Sequence, residues 1–505
     1  MSRLTRGAVL QRQLNIARDR LAIVAADGVF SYQDLAAASA AVAEMLVEGA
    51  GNLRDARVAF LVPPSFAFVV VQRGIWRAGG VAVPLAVSHP PAELEHVVRD
   101  SEASIVVGSG RQAEALAEIA NRYGARFIRT PDLLAGNRDS PGRPETGTVA
   151  VFSPDRPAMI LYTSGTTGKP KGVVTTHGNI SAQMASLIEA WEWTSEDRAL
   201  SVLPLHHVHG LINVIGCALA AGASCEILPQ FETEPAWERL ASGDVTVFSA
   251  VPTIYHRLIV SWDAAPPHVQ RARSAGARRA RLMMSGSAAL PRTTLDRWRE
   301  ITGHVLLERY GMTELGMVLS NPLHGERRPG FVGTPLPGVE VRLVDDELEV
   351  RGPGVFREYW NRAGETADAF HDGWFRTGDV AALEDGAYRL LGRRNVDIIK
   401  TGGFKVSAFE IEDVLREHPA IADCSVTGAA DEEWGERVEA TVELKRDCAL
   451  TLAELQDWSG SRLARYKIPR RLYITTALSR NALGKVVKKP AVFDGTNRAS
   501  ESDLG

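Results

Sequence analysis

A chain of 505 residues, 45% hydrophobic and 23% charged, is long enough to bury a sizeable core and to divide into a large and a small domain. Its formal net charge of −4 argues against nucleic acid or an anionic membrane surface as the main partner. A chain of this length needs no disulfide scaffold, and Cys217, Cys225, Cys424 and Cys448, far apart with no Cys-x-x-Cys pair, are expected to be reduced, buried thiols in a cytosol-like compartment.

The N-terminus carries Arg3, Arg6, Arg12 and Arg18 ahead of its first acid, Asp19, and lacks the apolar core and cleavage site of a secretory signal. A cytoplasmic protein is expected, with organelle targeting by this basic segment left open. From about Arg57, β-branched runs alternate with helical patterns: strands over 58–62, 81–85 and 105–107, and helices over 66–78 and 91–100. That rhythm predicts α/β architecture with largely parallel strands. Residues 108–113, Gly-Ser-Gly-Arg-Gln-Ala, formally match a dinucleotide fingerprint, but a lone match within an α/β layer is weak. The longest apolar stretch, 210–225, is broken by Asn213 and Gly222 and falls short of the roughly 20 residues a membrane span needs. Arg271, Arg273, Arg278, Arg279 and Arg281, with no acid between them, read as a solvated face, with a polyanion patch as the alternative.

After Arg393 the texture changes. Residues 400–405 read as a turn, 410–417 as a helix, and 424–428 and 438–444 as strands, forming a small α+β unit. The expected domains are 1–394 and 395–505, joined near Asn395, with a disordered polar tail after Asp494.

The most specific segment runs from Tyr162 through Thr163, Ser164, Gly165, Thr166, Thr167, Gly168 and Lys169 to Pro170, Lys171, Gly172 and Val173. Glycines, hydroxyls and lysines at this density suit a loop that wraps a polyphosphate with amides, hydroxyls and ammonium groups. It is not a Walker A loop, because Lys169 is followed by proline rather than by Ser or Thr.

This segment resembles the phosphate loop of the adenylate-forming superfamily of acyl-CoA synthetases, adenylation domains and luciferases. The resemblance continues in order through Tyr310-Gly-Met-Thr-Glu314, Trp374-Phe-Arg-Thr-Gly-Asp379, Gly392-Arg393 and Asn481-Ala-Leu-Gly-Lys485, and so covers nearly the whole chain. It implies a large N-terminal domain of α/β layers with a small mobile α+β C-terminal domain. It also implies ATP, Mg²⁺ and coenzyme A, an acyl-adenylate and then a thioester, and a monomer or homodimer.

On the same basis, 163–169 hold the phosphates, and Glu314 and Thr167 hold Mg²⁺ with Thr313 nearby. Ser287, Ala288, Glu308, Tyr310 and Gly311 line the adenine pocket. Asp379 accepts the ribose hydroxyls, as suits an ionised two-oxygen acceptor, and Arg393 adds a contact. Lys485 bridges the acid and the α-phosphate. Asn395 stands where Asp or Lys is the usual pivot of domain rotation, and Gly402, Gly403 and Lys405 edge the CoA tunnel.

The superfamily's acid pocket corresponds to residues 204–210 and 251–257. No charged residue lies between Ser201 and Cys225, which counts against an amino-acid substrate. Arg257 follows Thr253 by four positions on a helix that Pro252 could start, and an arginine there suits a second carboxylate, with Ser285 as a further donor. Local phrasing at 203–211, 251–257, 285–290, 308–314 and 333–338 resembles malonyl-CoA synthetases more than the wider superfamily. Malonate is therefore the expected acid, methylmalonate the next, and a short-chain monocarboxylate or aryl acid the alternative. His207 aligns with the gate between the acid and CoA channels, with His206 and His209 beside it. The three histidines lack the further ligands of a metal site.

Overall fold

The computed structural model describes residues 19–135, 153–163, 170–394, 396–480, 485–488 and 499–500. Among these, two sheets with parallel centres form the bulk of the large domain. One orders Glu358–Tyr359, Lys171–Thr176, Pro157–Thr163, Val81–Pro84, Arg57–Leu61, Ile105–Gly108 and Arg126–Arg129. The other runs Thr334–Pro335, Gly316–Ser320, Leu307–Met312, Leu282–Ser285, Val247–Ala250, Arg198–Ser201, Ser224–Ile227, Leu21–Ala25 and Gly28–Ser31. The alternation expected from Arg57 onward is observed, with element ends moved by a residue or so.

Helix Phe66–Arg77 is apolar on most sides and accordingly lies in the core shared by both sheets. It crosses Tyr32–Val47 at Gly74, where a Cβ would fall 2.3 Å from Val42 Cγ1. Ser31 starts that partner helix with a capping box completed by Asp34.

A third sheet, built from Glu340–Val344, Glu347–Arg351, Trp374–Glu384, Phe370–His371 and Ala387–Arg393, leads into the small domain. The small domain wraps Ile421–Asp431, Gly435–Leu444 and their neighbours around a separate core that includes Ile399, Ile411, Leu415, Val426 and Leu472. Ala499–Ser500 pairs with this sheet, so part of the tail expected to be disordered is a strand.

Two other expectations change. Cys448 is exposed, while Cys217, Cys225 and Cys424 are buried. The arginines of 271–281 are not a uniform solvated face: Arg273 pairs with Glu234 and stacks on Trp237, and Arg281 grips Asp197 with Nε and Nη2, each at 2.7 Å. The stretch 210–225 folds mainly as the π-helix His209–Gly216 and the α-helix Cys217–Ala221, and among the described residues no helix is long and apolar enough to cross a membrane.

Candidate active site

Strands Arg198–Ser201, Val247–Ala250 and Leu282–Ser285 are mutually parallel, and the chain leaving their carboxyl ends carries His206, His207, His209, Pro252 and Gly286. This is the usual place for a site in an open α/β sheet. Beside it, the hairpin of Leu307–Met312 and Gly316–Ser320 turns through Thr313 and Glu314. The hairpin closes only on glycine at 311, where a Cβ would lie 1.9 Å from Gly316 O. Glu314 is buried at this turn and accepts a hydrogen bond from Tyr359 Oη at 3.0 Å. Burial raises its pKa, against the pull of Tyr359, Arg393 and Lys171.

Asp379 faces this turn from the third sheet. Its Oδ2 accepts from Tyr310 Oη at 2.5 Å, and its Oδ1 lies 2.8 Å from Arg393 Nε on the paired strand. Arg393 Nη1 also donates to Thr377 O at 3.0 Å, which fixes the guanidinium plane. Burial raises the Asp379 pKa, while Arg393, Tyr310 and the small-domain Lys485 oppose the shift. Lys485 therefore lies close enough to act on this carboxylate, so Glu314, Tyr310, Asp379, Arg393 and Lys485 form one cluster.

Thr163 ends strand Pro157–Thr163 opposite Lys171. Lys171 pairs with Glu365 and sits over the Tyr359 ring at 5.1 Å, so the described base of the expected phosphate loop reaches Tyr359, the partner of Glu314. Ser164, Gly165, Thr166, Thr167, Gly168, Lys169 and Asn395 lie outside the described residues. Glu308 accepts from Gly330 N at 2.8 Å, and burial pushes its carboxyl up to about 8. Half-buried Ser287 and Ala288 follow Gly286, and Ser287 holds φ at 68°, in the left-handed region that a residue with a side chain seldom occupies.

The acid side centres on a residue that the sequence did not single out. Arg309 is 3% exposed, and among the described residues no carboxylate pairs with it. Its Nη2 contacts His209 Nε2, while Nε and Nη1 are buried without partners. Burial lowers its pKa to about 9, so it remains a cation at neutral pH. His209 also bonds Ser249 Oγ at 2.8 Å and Ser287 Oγ at 3.1 Å. The buried Ser285 Oγ has no partner. Unpaired buried groups at this density mark a place prepared for a polar ligand, since each costs stability as it stands. His206 and His207 lie against each other at 4.1 Å, and burial lowers their pKa values to about 3 and about 4, keeping both neutral.

Arg257 does not join this group. Helix Pro252–Ala264 buries Ile254, Tyr255, Leu258 and Ile259, which leaves Arg257 exposed with its guanidinium 4.8 Å from the Phe231 ring. Gly402 and Gly403 form an exposed turn between Ile398–Thr401 and Phe404–Ser407. Lys405 reaches across to Asp346 of the large domain at 3.4 Å. Among the described residues no cluster of three or more His, Cys, Asp or Glu could hold a metal alone.

The AMP-binding enzyme family matches residues 10–360, and its C-terminal domain matches residues 410–485. The chain belongs to the AMP-binding enzyme family. Within it, the mitochondrial malonate–CoA ligase of Homo sapiens is 43% identical, over 94% of this chain and 90% of its own. Among solved structures, ATP-bound MatB from Rhodopseudomonas palustris superposes with a TM-score of 0.86 at 33% identity, covering 95% of this chain and 97% of that one. A malonyl-CoA ligase with methylmalonyl-CoA and AMP bound is 37% identical over 92% and 97% of the two chains, yet has a TM-score of 0.66. This AMP-binding enzyme is thus arranged more like the ATP-bound relative than like the product complex, although it shares more sequence with the latter.

Proposed function

We propose that the chain is an ATP-dependent malonate–CoA ligase. Malonate displaces pyrophosphate from the α-phosphate of ATP to give malonyl-AMP, and the thiol of CoA then displaces AMP to give malonyl-CoA. The observation that carries this reading is Arg309: a buried cation without a carboxylate partner is costly until an anion arrives, and the second carboxylate of malonate supplies one. Ser285 and the neutral His209 complete a polar end to the acid pocket. Methylmalonate carries the same two carboxylates and is the expected second substrate. Malonate–CoA ligase relatives at 42–44% identity support the same choice.

Asp379 would accept the ribose hydroxyls on the lone pairs left by Tyr310 and Arg393. Ser287, Ala288, Glu308, Tyr310 and Gly311 would border the adenine, and residues 163–169 the polyphosphate. Lys485 would place its ammonium between the attacking carboxylate and the α-phosphate, a task that suits a flexible point charge. A single buried carboxylate, Glu314, with Thr167 and substrate phosphates, fits Mg²⁺, which seldom uses an all-protein cage. When bound, that ion supplies positive charge to the phosphate oxygens.

For the second step, domain 395–505 would rotate about Asn395 and bring Gly402, Gly403 and Lys405 to the thiol. The exposed Lys405–Asp346 pair that must break is a weak restraint, about 1 kcal/mol or less. Neutral His207 would gate the passage between the acid and CoA. Four free cysteines suit a reducing compartment, cytoplasm or mitochondrial matrix alike.

The test is thioester formation with ATP, Mg²⁺, CoA and a panel of malonate, methylmalonate, succinate, acetate, butyrate and benzoate, ranked by kcat/KM. Malonate is expected first, and a monocarboxylate at the head of the ranking would overturn the assignment of the pocket.

A further inference from the structure

The segment that carries Lys485 is anchored three residues later. Lys488 buries its side chain in the small domain, 9% exposed, with Nζ 2.8 Å from Asp397 Oδ1 and 2.7 Å from Glu412 Oε1. The ammonium is thus ion-paired with both carboxylates, and the Phe409 ring lies 4.8 Å away. Burial opposes the ammonium, but Glu412 and Asp397 raise its pKa and keep it charged.

Both carboxylates are themselves held. Glu412 Oε1 accepts from Val426 N at 2.9 Å on the neighbouring strand, and Asp397 Oδ2 accepts from Arg393 N at 3.0 Å. The lysine segment is extended: Val486 bridges to Arg480, and Val487 N donates to Ser479 O at 2.8 Å. Side chains alternate along extended chain, and exposure follows that alternation over 485–488. Lys488 consequently enters the small domain while Lys485 projects from the other side, within electrostatic reach of Asp379.

We infer that Lys488 is a positioning residue for Lys485, clamping its segment to Asp397 and Glu412 so that the Lys485 ammonium meets the substrate at a fixed place. The clamp also joins two parts of the site, because Asp397 holds the backbone of Arg393, whose side chain grips Asp379. The inference rests on the reading of Lys485 as the adenylation lysine.

A double-mutant cycle on malonate-dependent pyrophosphate exchange, using Lys485→Ala, Lys488→Met and both together, tests it. Lys485→Ala should lose about 100-fold or more, and Lys488→Met about 10- to 100-fold in kcat with the KM for ATP within about twofold, the scale of an ångström-level misplacement. In the Lys485→Ala background Lys488→Met should add nothing, since coupled residues are non-additive. Thioester formation from supplied acyl-adenylate and CoA should stay within about threefold of wild type, which also reports a folded small domain, and Lys488→Arg should recover part of the exchange rate. Lys488→Met/Glu412→Gln keeps the cluster charge and gives the same pattern if the single variant does not fold. Additive losses, or normal exchange in a folded Lys488→Met enzyme, overturn the inference. So does loss of thioester formation in both Lys488 variants, because the lysine then holds the fold rather than aiming Lys485. Normal exchange in Lys485→Ala would instead overturn the reading of Lys485.

Discussion

Arg309 Nη2 lies against His209 Nε2, which makes that ring nitrogen the acceptor and assigns the imidazole proton to Nδ1, facing Ser287 Oγ. Protonated His209 would set two cations in contact, and burial with Arg309 holds its pKa well below the usual range. A neutral imidazole thus aims the guanidinium without neutralising it. Arg309→Met should lower kcat/KM for malonate by about 30-fold or more, the roughly 2–5 kcal/mol of a buried charge partner, while acetate changes by less than about threefold. Equal losses for both acids would show that Arg309 serves the fold or the nucleotide instead.

Gly286 gives the guanidinium its room. A Cβ at this position would fall 1.9 Å from Arg309 Nη1, and the facing atom belongs to a side chain already held by His209. Gly286→Ala should therefore reproduce the loss of malonate selectivity, and a crystal structure should find the guanidinium displaced. Wild-type selectivity in this variant would mean that the guanidinium can shift at no cost.

Arg257→Ala should change malonate kcat/KM by less than about threefold, because an exposed arginine stacked on Phe231 contributes about 1 kcal/mol or less. A malonate-specific loss comparable to that of Arg309→Met would restore Arg257 to the pocket.

Glu308 predicts a pH signature in stability. Its folded pKa of about 8 lies above the ordinary carboxyl value near 4.3, so its contribution is fully present below about pH 4.5 and is lost as pH rises through about 8. Glu308→Gln keeps an acceptor for Gly330 N and removes the titration. Its Tm should equal that of wild type near pH 4.5 and exceed it by roughly 3–8 °C at pH 8, measured without nucleotide. A constant offset across that range would assign the proton elsewhere.

Periodicity and punctuation make much of this fold readable. Pro91 marks the first turn of helix Pro91–Asp100, whose limits agree with the sequence reading, because proline suits that position and ends nothing there. The α/β alternation and the small domain's strands follow from their β-branched runs, although Ile421–Asp431 extends well beyond the expected 424–428 because its hairpin partner continues to pair with it. The acid pocket was harder to read. The apolar spacing 254, 255, 258, 259 already fixes the buried stripe of its helix, and Arg257 lies off it. Nothing local distinguishes Arg309 as a ligand, since its role comes from the meeting of a strand with Gly286 and His209 from distant segments. Nothing local sets Lys488 apart from its lysine neighbour at 489, and its side chain is buried because two carboxylates more than seventy residues away converge on it.

Cys448 offers a practical use of the fold. It is the exposed cysteine of the four and sits in the small domain between Gly435–Leu444 and Leu452–Gly460, away from Lys485 and Lys488 in sequence. A maleimide dye should therefore label the native enzyme at one point, leaving the buried thiols untouched. Its fluorescence would then report, turnover by turnover, where the small domain stands.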